Sequence, residues 1–439
     1  MVIFFSRNLD EPKLLNRLLQ SFHEVEHCSI QMDQEYHELQ PSDDEEFKVL
    51  SSVLNAHCMY GSWAIRSIVL PKRRKYLSLS NAEKSLLNWF PDYLTQLEHS
   101  IEINSNFFTQ VAETMGSNWG GGKKEHWFPP SENDLDKVRG LMIQYVREWS
   151  SDGADEREES MGRILRMAEK LFPDVIERPD VHVLVPGAGL GRLVVEFVKR
   201  GFRTQGNELS YHMLLNCNYL LSNTYCENNF VISPFIHKSS NVEKRNYQCR
   251  QIHFPDFNPG DISLLNIQYP EIDVQELMSM VAGGFVDLYG PPDRKEFLDI
   301  YTSDSIASEF RTSNKGKFKI IATSFFIDTA TNIIEYLETI KYCLHDDGYW
   351  INFGPLLWHF ENDSTEIDVL NLQNKSDQYA QKIPLQGLEL SKEDLLDLIS
   401  KVGFEFLEHE SNIETSYGGD PRALGSWIYK CEFWVCKKI

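Results

Sequence analysis

The 439-residue sequence predicts an α/β protein with a mostly parallel sheet, one antiparallel strand at the end of that sheet, and an N-terminal helical region. Two observations predict this fold. Residues 181–208 contain a strand pattern, a glycine-rich turn, a helical pattern and a second strand pattern. Near the C-terminus, two strand patterns follow each other without a helix between them. Strands joined through a helix pair in parallel, whereas directly successive strands favour antiparallel pairing.

The unit at 181–208 predicts a ligand as well as a fold. Its first strand, 181–185, is apolar and β-branched, as expected for a strand buried on both faces. Glycines allow the tight turn that follows and let the backbone approach a ligand closely. The start of the next helix offers unpaired N–H groups, and Glu208 after the second strand can bind ribose hydroxyls. The unit therefore predicts a cofactor that contains a nucleoside; the alternative is a glycine turn that binds no ligand.

The glycine spacing favours one class of cofactor. Glycines stand at Gly187, Gly189 and Gly191, whereas a dinucleotide fingerprint requires its third glycine at the position of Arg192. The observed spacing suits S-adenosylmethionine better, because this cofactor has an amino-acid tail and no pyrophosphate. Glu208 lies 21 positions after Gly187 (208 − 187), the separation expected of a ribose-binding acid. A nicotinamide dehydrogenase is disfavoured by Arg192 and by the terminal pair of strands.

Residues 1–131 are predicted to form the N-terminal helical region. Apolar residues repeat at helical spacing over 14–22, 47–54 and 92–115, and Ser80 followed by Glu83 has the pattern of a capping box. The segment 116–130 contains three consecutive glycines, two tryptophans and two prolines, which predicts a loop or lid.

Residues 132–439 are predicted to form the second domain, with a polar insertion at about 363–390. Its helical patterns cover 132–149, 160–172, 210–224, 330–344 and 393–402, and its strand patterns cover 317–326, 349–353, 404–409 and 428–435. Residues 230–260 contain three prolines and are predicted to be irregular.

The composition argues against several classes of function. Lys and Arg number 43 against 65 Asp and Glu, a formal net charge of −22, so binding through the nucleic-acid phosphate backbone is disfavoured. No segment approaches 18 consecutive apolar residues, and the first residues lack the pattern of a signal peptide. We therefore expect a cytoplasmic protein with no membrane partner. The short basic run at 72–75 adds the nucleus as a second expected location.

The eight cysteines are scattered along the chain, and none forms a C-x-x-C motif or a Cys/His cluster with zinc spacing. We therefore expect free thiols in a reducing compartment and no metal cofactor.

Several phrases of the sequence together resemble the carnosine N-methyltransferase family. They are QYVREWS (144–150), VPGAGLGRL (185–193), GNE (206–208), ATSFFIDTATNIIEYLETI (322–340), GYWINFGPLLWHFEN (348–362) and the closing Tyr429-Lys430-Cys431. The resemblance runs from about residue 132 to the C-terminus and is weaker before it. It implies a Rossmann-like class I methyltransferase domain that methylates an imidazole nitrogen of a histidine-containing dipeptide, converting carnosine to anserine, with S-adenosylmethionine as the methyl donor and S-adenosylhomocysteine as the product.

The resemblance also implies a set of cofactor contacts. They are Gln144, Arg147, Gly187, Gly189, Glu208, Gly284, Phe285 and Ser324. Arg147 can pair with the cofactor carboxylate, and Phe285 matches a residue beside the adenine. Gly284 departs from the family pattern, which has an Asp there for the adenine amino group. That contact is either missing or supplied by a neighbour such as Asp287.

Asp328, His359 and Tyr429 match the substrate site of the family. Asp328 and His359 follow predicted strands, and ligands of open α/β sheets bind beyond the carboxyl ends of the strands. A carboxylate that accepts the imidazole N–H fixes the tautomer of the ring and stabilises the positive charge that develops on it. We therefore expect Asp328 to orient the substrate and accept its proton, and His359 and Tyr429 to position it. Taken singly, each of these residues more often has an ordinary structural role, and it is their joint match to the substrate site of one family that favours the functional role.

Two alternatives to this function stay open on the sequence alone. One is methylation of a histidine in a protein, since an acidic surface suits a basic partner. The other is a non-catalytic interaction protein that keeps the fold, which only Gly284 suggests. The expected partner is thus a small histidine-containing peptide or a protein histidine, and a homodimer through the helical region is a further expectation.

Overall fold

The computed structural model describes residues 2–5, 45–292, 305–361, 363, 366–369, 381–384 and 387–439. The helix predicted over 14–22 and most of the insertion predicted at 363–390 lie outside these ranges.

Twelve strands occur in the described residues. They are β1 (Val2–Phe5), β2 (His182–Pro186), β3 (Arg203–Glu208), β4 (Phe230–Ile232), β5 (Ile252–Phe254), β6 (Met278–Ala282), β7 (Phe318–Ser324), β8 (Leu344–Gly354), β9 (Glu366–Val369), β10 (Gln381–Pro384), β11 (Phe404–Thr415) and β12 (Tyr429–Lys438). Eight of them form the central sheet in the order β1-β6-β3-β2-β7-β8-β12-β11.

The strand directions confirm the predicted Rossmann-like fold. All neighbours from β1 to β8 pair in parallel, and β12 pairs antiparallel with both β8 and β11. Two antiparallel pairs lie outside this sheet. One, β4 with β5, falls in the segment predicted to be irregular, and the other, β9 with β10, falls in the predicted polar insertion. Strand β1 lies in the N-terminal region, where helices but no strand were predicted.

Fifteen α-helices occur in the described residues. They are α1 (Glu45–Ala64), α2 (Leu70–Leu77), α3 (Asn81–Leu86), α4 (Phe90–Asn118), α5 (Glu132–Trp149), α6 (Ala154–Glu159), α7 (Met161–Leu171), α8 (Arg192–Lys199), α9 (Tyr211–Asn223), α10 (Arg245–Gln248), α11 (Leu264–Gln268), α12 (Phe285–Tyr289), α13 (Ser305–Ser313), α14 (Ile333–Cys343) and α15 (Lys392–Val402). In the part of the chain that is described, no helix is both long and apolar enough to cross a membrane.

Strand β2 and helix α8 show why residues 181–208 fold as predicted. Val183 and Leu184 are fully buried although their side chains point to opposite faces of the sheet. On α8, Val194, Phe197 and Val198 are fully buried at helical spacing and turn one face of the helix to the core. Burying an apolar side chain of this size stabilises the fold by about 1.5–3 kcal/mol.

The helical region shares a hydrophobic core with the sheet domain. Leu54 on α1, Phe108 on α4 and Tyr145 on α5 are fully buried in the same cluster as Val183 and Phe197. Helix α4 continues to Asn118, and the following segment packs against its neighbours. Trp119 is buried, and the Trp127 indole N–H donates to the Gly121 carbonyl oxygen at 2.6 Å.

Three histidines lie at the contact between the helical region and the sheet domain. His57 on α1 donates from Nδ1 to the Val53 carbonyl (2.8 Å) and accepts at Nε2 from the Asn216 side-chain amide of α9 (2.8 Å). The His212 ring stacks on His57 with centroids 5.8 Å apart. His237 Nε2 lies 2.8 Å from the Tyr60 hydroxyl. Burial lowers the pKa of His57 to about 4 and the pKa values of His212 and His237 to about 3.

From the lowered pKa values of these histidines we expect each of them to lower the free energy of unfolding in mild acid. A histidine in the unfolded chain takes up a proton near pH 6.5, whereas the folded protein keeps all three neutral at that pH. At these three positions the unfolded state therefore binds more protons, and their contribution to the free energy of unfolding falls as the pH falls from about 6.5 towards 4. The buried carboxyls of Glu148 and Asp328, whose pKa values are raised, contribute in the opposite direction, so the test compares variants. Urea unfolding between pH 7.5 and 5 measures this slope. We expect His212→Phe to make the slope shallower by up to about 1.4 kcal/mol per pH unit. His126→Phe, at an exposed position, should leave the slope unchanged, and equal slopes in all three proteins would contradict the prediction.

Candidate functional site

The candidate site lies where the parallel strands end. The chain passes from β2 through β3 to β6 on one side of β2, and from β7 to β8 on the other, so the strand order reverses between β2 and β7. In open α/β sheets the crevice at this reversal, beyond the carboxyl ends of the strands, is where ligands bind. Glu208 pairs with Ala282, and Ser324 pairs with Phe353, so the segments after these strands meet at one edge.

The glycine-rich turn after β2 requires glycine at three positions. Gly187, Gly189 and Gly191 have φ values of +64°, +57° and +83°, in the left-handed region that other residues rarely adopt. A β-carbon on Gly187 would overlap the Phe326 ring, and one on Gly189 would lie 2.7 Å from Glu148 Oε1. At Gly187 and Gly189 the turn packs so closely against its neighbours that a side chain would not fit. The turn lies at the crevice between β2 and β7.

Glu208 connects the end of β3 to the glycine-rich turn. Its Oε2 accepts from the Gly189 N–H at 2.9 Å, and its Oε1 accepts from the N–H groups of Leu209 and Ser210, each at 2.8 Å. Burial raises the pKa of this carboxyl, and the three N–H donors oppose that shift. Since carboxylate oxygens together offer about four acceptor positions, at least one remains for a ligand hydroxyl.

Glu148 is a further candidate site residue, which no pattern in the sequence indicated. It is the penultimate residue of α5 and is buried beneath the glycine-rich turn. Its two carboxylate oxygens accept from the N–H groups of Leu190 and Arg192, each at 3.3 Å, and Arg192 is the first residue of α8. Burial raises the pKa of Glu148 to about 7. An acidic side chain thus already occupies the start of α8, the place where a dinucleotide would put its pyrophosphate.

Arg147 and Gln144 form one hydrogen-bonded unit on α5. Arg147 Nε donates to Glu156 Oε1 at 2.5 Å, and its Nη1 donates to Gln144 Oε1 at 2.8 Å. Gln144 Nε2 donates to the Tyr417 hydroxyl at 2.8 Å, and the Arg147 guanidinium lies 3.5 Å from the centre of the Tyr417 ring. These contacts hold the Arg147 side chain in one orientation. None of these hydrogen bonds involves Arg147 Nη2.

Glu156 joins the same unit to the loop between β11 and β12. Its Oε2 accepts from the Ser416 hydroxyl at 3.0 Å and from the Gly418 N–H at 2.8 Å, while its Oε1 binds Arg147. Tyr417 lies between Ser416 and Gly418 in the sequence. The two hydrogen bonds to Glu156 therefore fix the position of the Tyr417 ring against the Arg147 guanidinium. No local pattern in this Gly/Asp/Pro-rich loop indicated that role for Tyr417.

Phe285, Gly284 and Ser324 lie at the ends of β6 and β7. Phe285 is buried, and its ring meets Phe326 and Tyr336 edge to face at centroid distances of 5.4 and 5.5 Å. Gly284 is the residue directly before α12, and half-buried Ser324 is the last residue of β7. These three positions therefore flank Glu208 and the glycine-rich turn on either side.

Asp328 lies in a short 3₁₀ turn after β7 and is 3% exposed. Its Oδ2 accepts from the Leu357 N–H at 3.1 Å. Its Oδ1 is buried, and none of the described residues donates a hydrogen bond to it. Burial raises the pKa of this carboxyl to about 6. Because a buried acceptor without a donor costs free energy, this oxygen is a candidate acceptor for a hydrogen bond from a ligand.

His359 and Tyr429 lie at the same edge of the sheet as Asp328. The His359 backbone N–H donates to the Asp328 carbonyl oxygen at 3.0 Å, so the turn after β8 stands against the turn after β7. Tyr429 begins β12, and the pKa of its hydroxyl is raised by burial and by the negative charge of Asp328. The structure therefore brings the three predicted substrate residues together at the same edge as the predicted cofactor residues.

A metal site is not formed by the residues that the structure describes, since no group of three or more His, Cys, Asp or Glu side chains among them could hold a metal ion.

Comparison with known proteins identifies similar chains. The family model described as carnosine N-methyltransferase matches residues 124–439. A carnosine N-methyltransferase of Schizosaccharomyces pombe is 36% identical over 402 residues, covering 90% of this chain and 97% of that one. The corresponding protein of Rattus norvegicus is 30% identical over 392 residues, covering 88% and 85%. Carnosine N-methyltransferase unmet of Drosophila melanogaster is 28% identical over 423 residues, covering 90% and 81%.

Proposed function

We propose, given that this chain belongs to the carnosine N-methyltransferase family, that it transfers a methyl group from S-adenosylmethionine to an imidazole nitrogen of a histidine-containing dipeptide of the carnosine type. Family membership confirms the resemblance found in the sequence and the enzyme class, an N-methyltransferase, that the resemblance implied. We also propose the roles of the individual residues.

The cofactor residues fit S-adenosylmethionine better than a dinucleotide. Glu148 already binds the N–H groups at the start of α8, so a pyrophosphate there would meet a carboxylate. The amino-acid tail of S-adenosylmethionine carries both charges and can use Arg147 for its carboxylate. Glu208 would bind the ribose hydroxyls, and Phe285 would lie beside the adenine. Gln144, Gly187, Gly189 and Ser324 complete this proposed site, and Gly284 lies at its adenine end. When bound, S-adenosylmethionine supplies the electrophilic methyl group.

One observation carries the proposed reaction: Asp328 Oδ1 is buried and has no donor among the described residues. A neutral imidazole has one N–H and one nitrogen with a free lone pair. If Asp328 Oδ1 accepts that N–H, the other nitrogen keeps its lone pair and points away from the carboxylate. The same carboxylate stabilises the positive charge that the ring gains and accepts the ring proton at Oδ1.

His359 and Tyr429 would hold the rest of the substrate. The side chain of His359 is more than a third exposed, and partial burial lowers its pKa, which favours the neutral ring at neutral pH. A neutral imidazole can accept or donate a hydrogen bond to a peptide group. The Tyr429 hydroxyl lies near the Asp328 charge and can donate to a substrate carbonyl or carboxylate.

Mass spectrometry tests the proposal directly. The protein is incubated with methyl-labelled S-adenosylmethionine and, in separate reactions, with carnosine, histidine and a set of histidine-containing peptides and proteins. We expect the label on the imidazole ring of carnosine and not on free histidine. Labelling of protein histidines alone would establish protein-histidine methylation instead. No labelled product, with no heat of S-adenosylhomocysteine binding, would contradict the proposed activity altogether.

A further inference from the structure

We infer that the Asp287 carboxylate accepts the adenine amino group of the cofactor and so replaces a side chain that Gly284 lacks. This inference rests on the proposed function, because it concerns how the same site recognises adenine. It assigns specificity for the base to one residue in the first turn of α12.

The first observation is the space above Gly284. Its backbone angles, φ −64° and ψ 134°, are open to any residue, so conformation does not require glycine here. A β-carbon built on Gly284 would instead overlap Asp287 Oδ2. Asp287 therefore turns back over the end of β6 and places its carboxylate where a side chain of residue 284 would begin. The N-cap and N3 positions of a helix lie close enough for this arrangement.

The second observation is what surrounds that carboxylate. Phe285, two residues before Asp287, is buried and meets Tyr336 edge to face. The Gly283 N–H donates to the Glu208 carbonyl oxygen at 2.9 Å, so the end of β3 lies against the residue before Gly284. Burial and the negative charges of Glu208 and Asp287 raise the pKa of the Tyr336 hydroxyl, so both acids lie near this ring. Glu208 ends β3, and β6 is the next strand of the sheet. A nucleoside with its ribose at Glu208 can thus extend its base over Phe285 to Asp287.

The third observation is that Asp287 is free to bind. Its side chain is exposed, and within the described part of the chain it makes no hydrogen bond and no ion pair. A carboxylate is only an acceptor, and the adenine amino group is the donor at the far end of the base. A base with a carbonyl oxygen at that position would face the carboxylate with a second acceptor and be rejected.

Calorimetry with two ligands tests the inference. S-adenosylhomocysteine carries the amino group, and S-inosylhomocysteine carries a carbonyl oxygen in its place. We expect the wild-type protein to bind S-adenosylhomocysteine at least about tenfold more tightly than the inosine analogue. Asp287→Ala should remove most of this preference, by weakening the first ligand about tenfold. The ratio is measured within one variant, so a partial loss of folded protein does not alter it.

Two further variants sharpen the test. Gly284→Asp with Asp287→Ala restores a carboxylate at the vacated place and should regain the preference for the adenine ligand. Asp261→Ala, a change at an exposed acid in another short helix, should leave both affinities unchanged. A preference that persists in Asp287→Ala would overturn the inference and leave the proposed function intact. Failure of the wild-type protein to bind S-adenosylhomocysteine would overturn the proposed function itself.

Discussion

Asp328→Asn lowers kcat/KM for the methylation of carnosine about 10³-fold and changes the affinity for S-adenosylhomocysteine less than twofold. The amide oxygen of Asn can still accept the imidazole N–H, so the substrate can still bind in the same orientation. The amide has no charge to oppose the charge of the developing imidazolium and cannot accept its proton. General-base and charge-stabilising effects of this kind are worth about 10²–10⁴-fold each.

Steady-state kinetics and calorimetry on the same preparation measure the two effects separately. Asp397→Asn is the matched control, because Asp397 is exposed on α15 and pairs with Lys401 at the surface. We expect this control to keep wild-type activity and wild-type affinity. Wild-type turnover by Asp328→Asn would show that Asp328 has no part in the reaction. Loss of cofactor affinity in that variant would show that it supports the fold of the site instead.

Arg147→Lys weakens the binding of S-adenosylhomocysteine about 30-fold, or about 2 kcal/mol, with a smaller change in kcat. Arg147 already donates to Glu156 and Gln144 and stacks against Tyr417, and it still has Nη2 for the cofactor carboxylate. The single ammonium of Lys keeps the charge but cannot reach three acceptors in a plane. We expect the Lys ammonium to pair with Glu156, which already contacts residue 147, and therefore to lose the contact with the cofactor carboxylate.

Arg139→Lys on the same helix is the control for this prediction. Arg139 is exposed and pairs with Asp136 at 3.3 Å on the surface of α5, so we expect no change in affinity. Thermal unfolding of both variants separates weaker binding from a loss of fold. Unchanged affinity in Arg147→Lys, with the fold intact, would place the cofactor carboxylate at another residue.

The parts of the candidate site whose residues lie close together along the chain could be predicted from the sequence. The glycine-rich turn and Glu208 lie within one β-α-β unit, and strand periodicity, glycine spacing and the terminal acid all depend on neighbours along the chain. The paired strands β11 and β12 were likewise evident because no helical pattern separates them. Their fold is confirmed by the sheet order.

The parts that depend on distant contacts could not be predicted. Tyr417 binds Gln144 across 273 positions, and its loop has no periodicity that would indicate this contact. Glu148 stands beside Arg147 in the sequence, but only the packing of α5 beneath the turn shows that its carboxylate binds the start of α8. Strand β1 was missed because four residues are too few to distinguish a strand from a helix by pattern.

The loop between β11 and β12 carries Tyr417, which contacts Arg147, and leads 12 positions later (429 − 417) to Tyr429 near Asp328. If Arg147 binds the cofactor and Tyr429 the dipeptide, as we propose, the two ligands contact the same short piece of backbone. A ligand that restricted the motion of this loop at one end would reduce the conformational entropy lost when a second ligand binds at the other end. The two affinities are then thermodynamically linked, and by reciprocity the factor by which dipeptide tightens cofactor binding equals the factor by which cofactor tightens dipeptide binding.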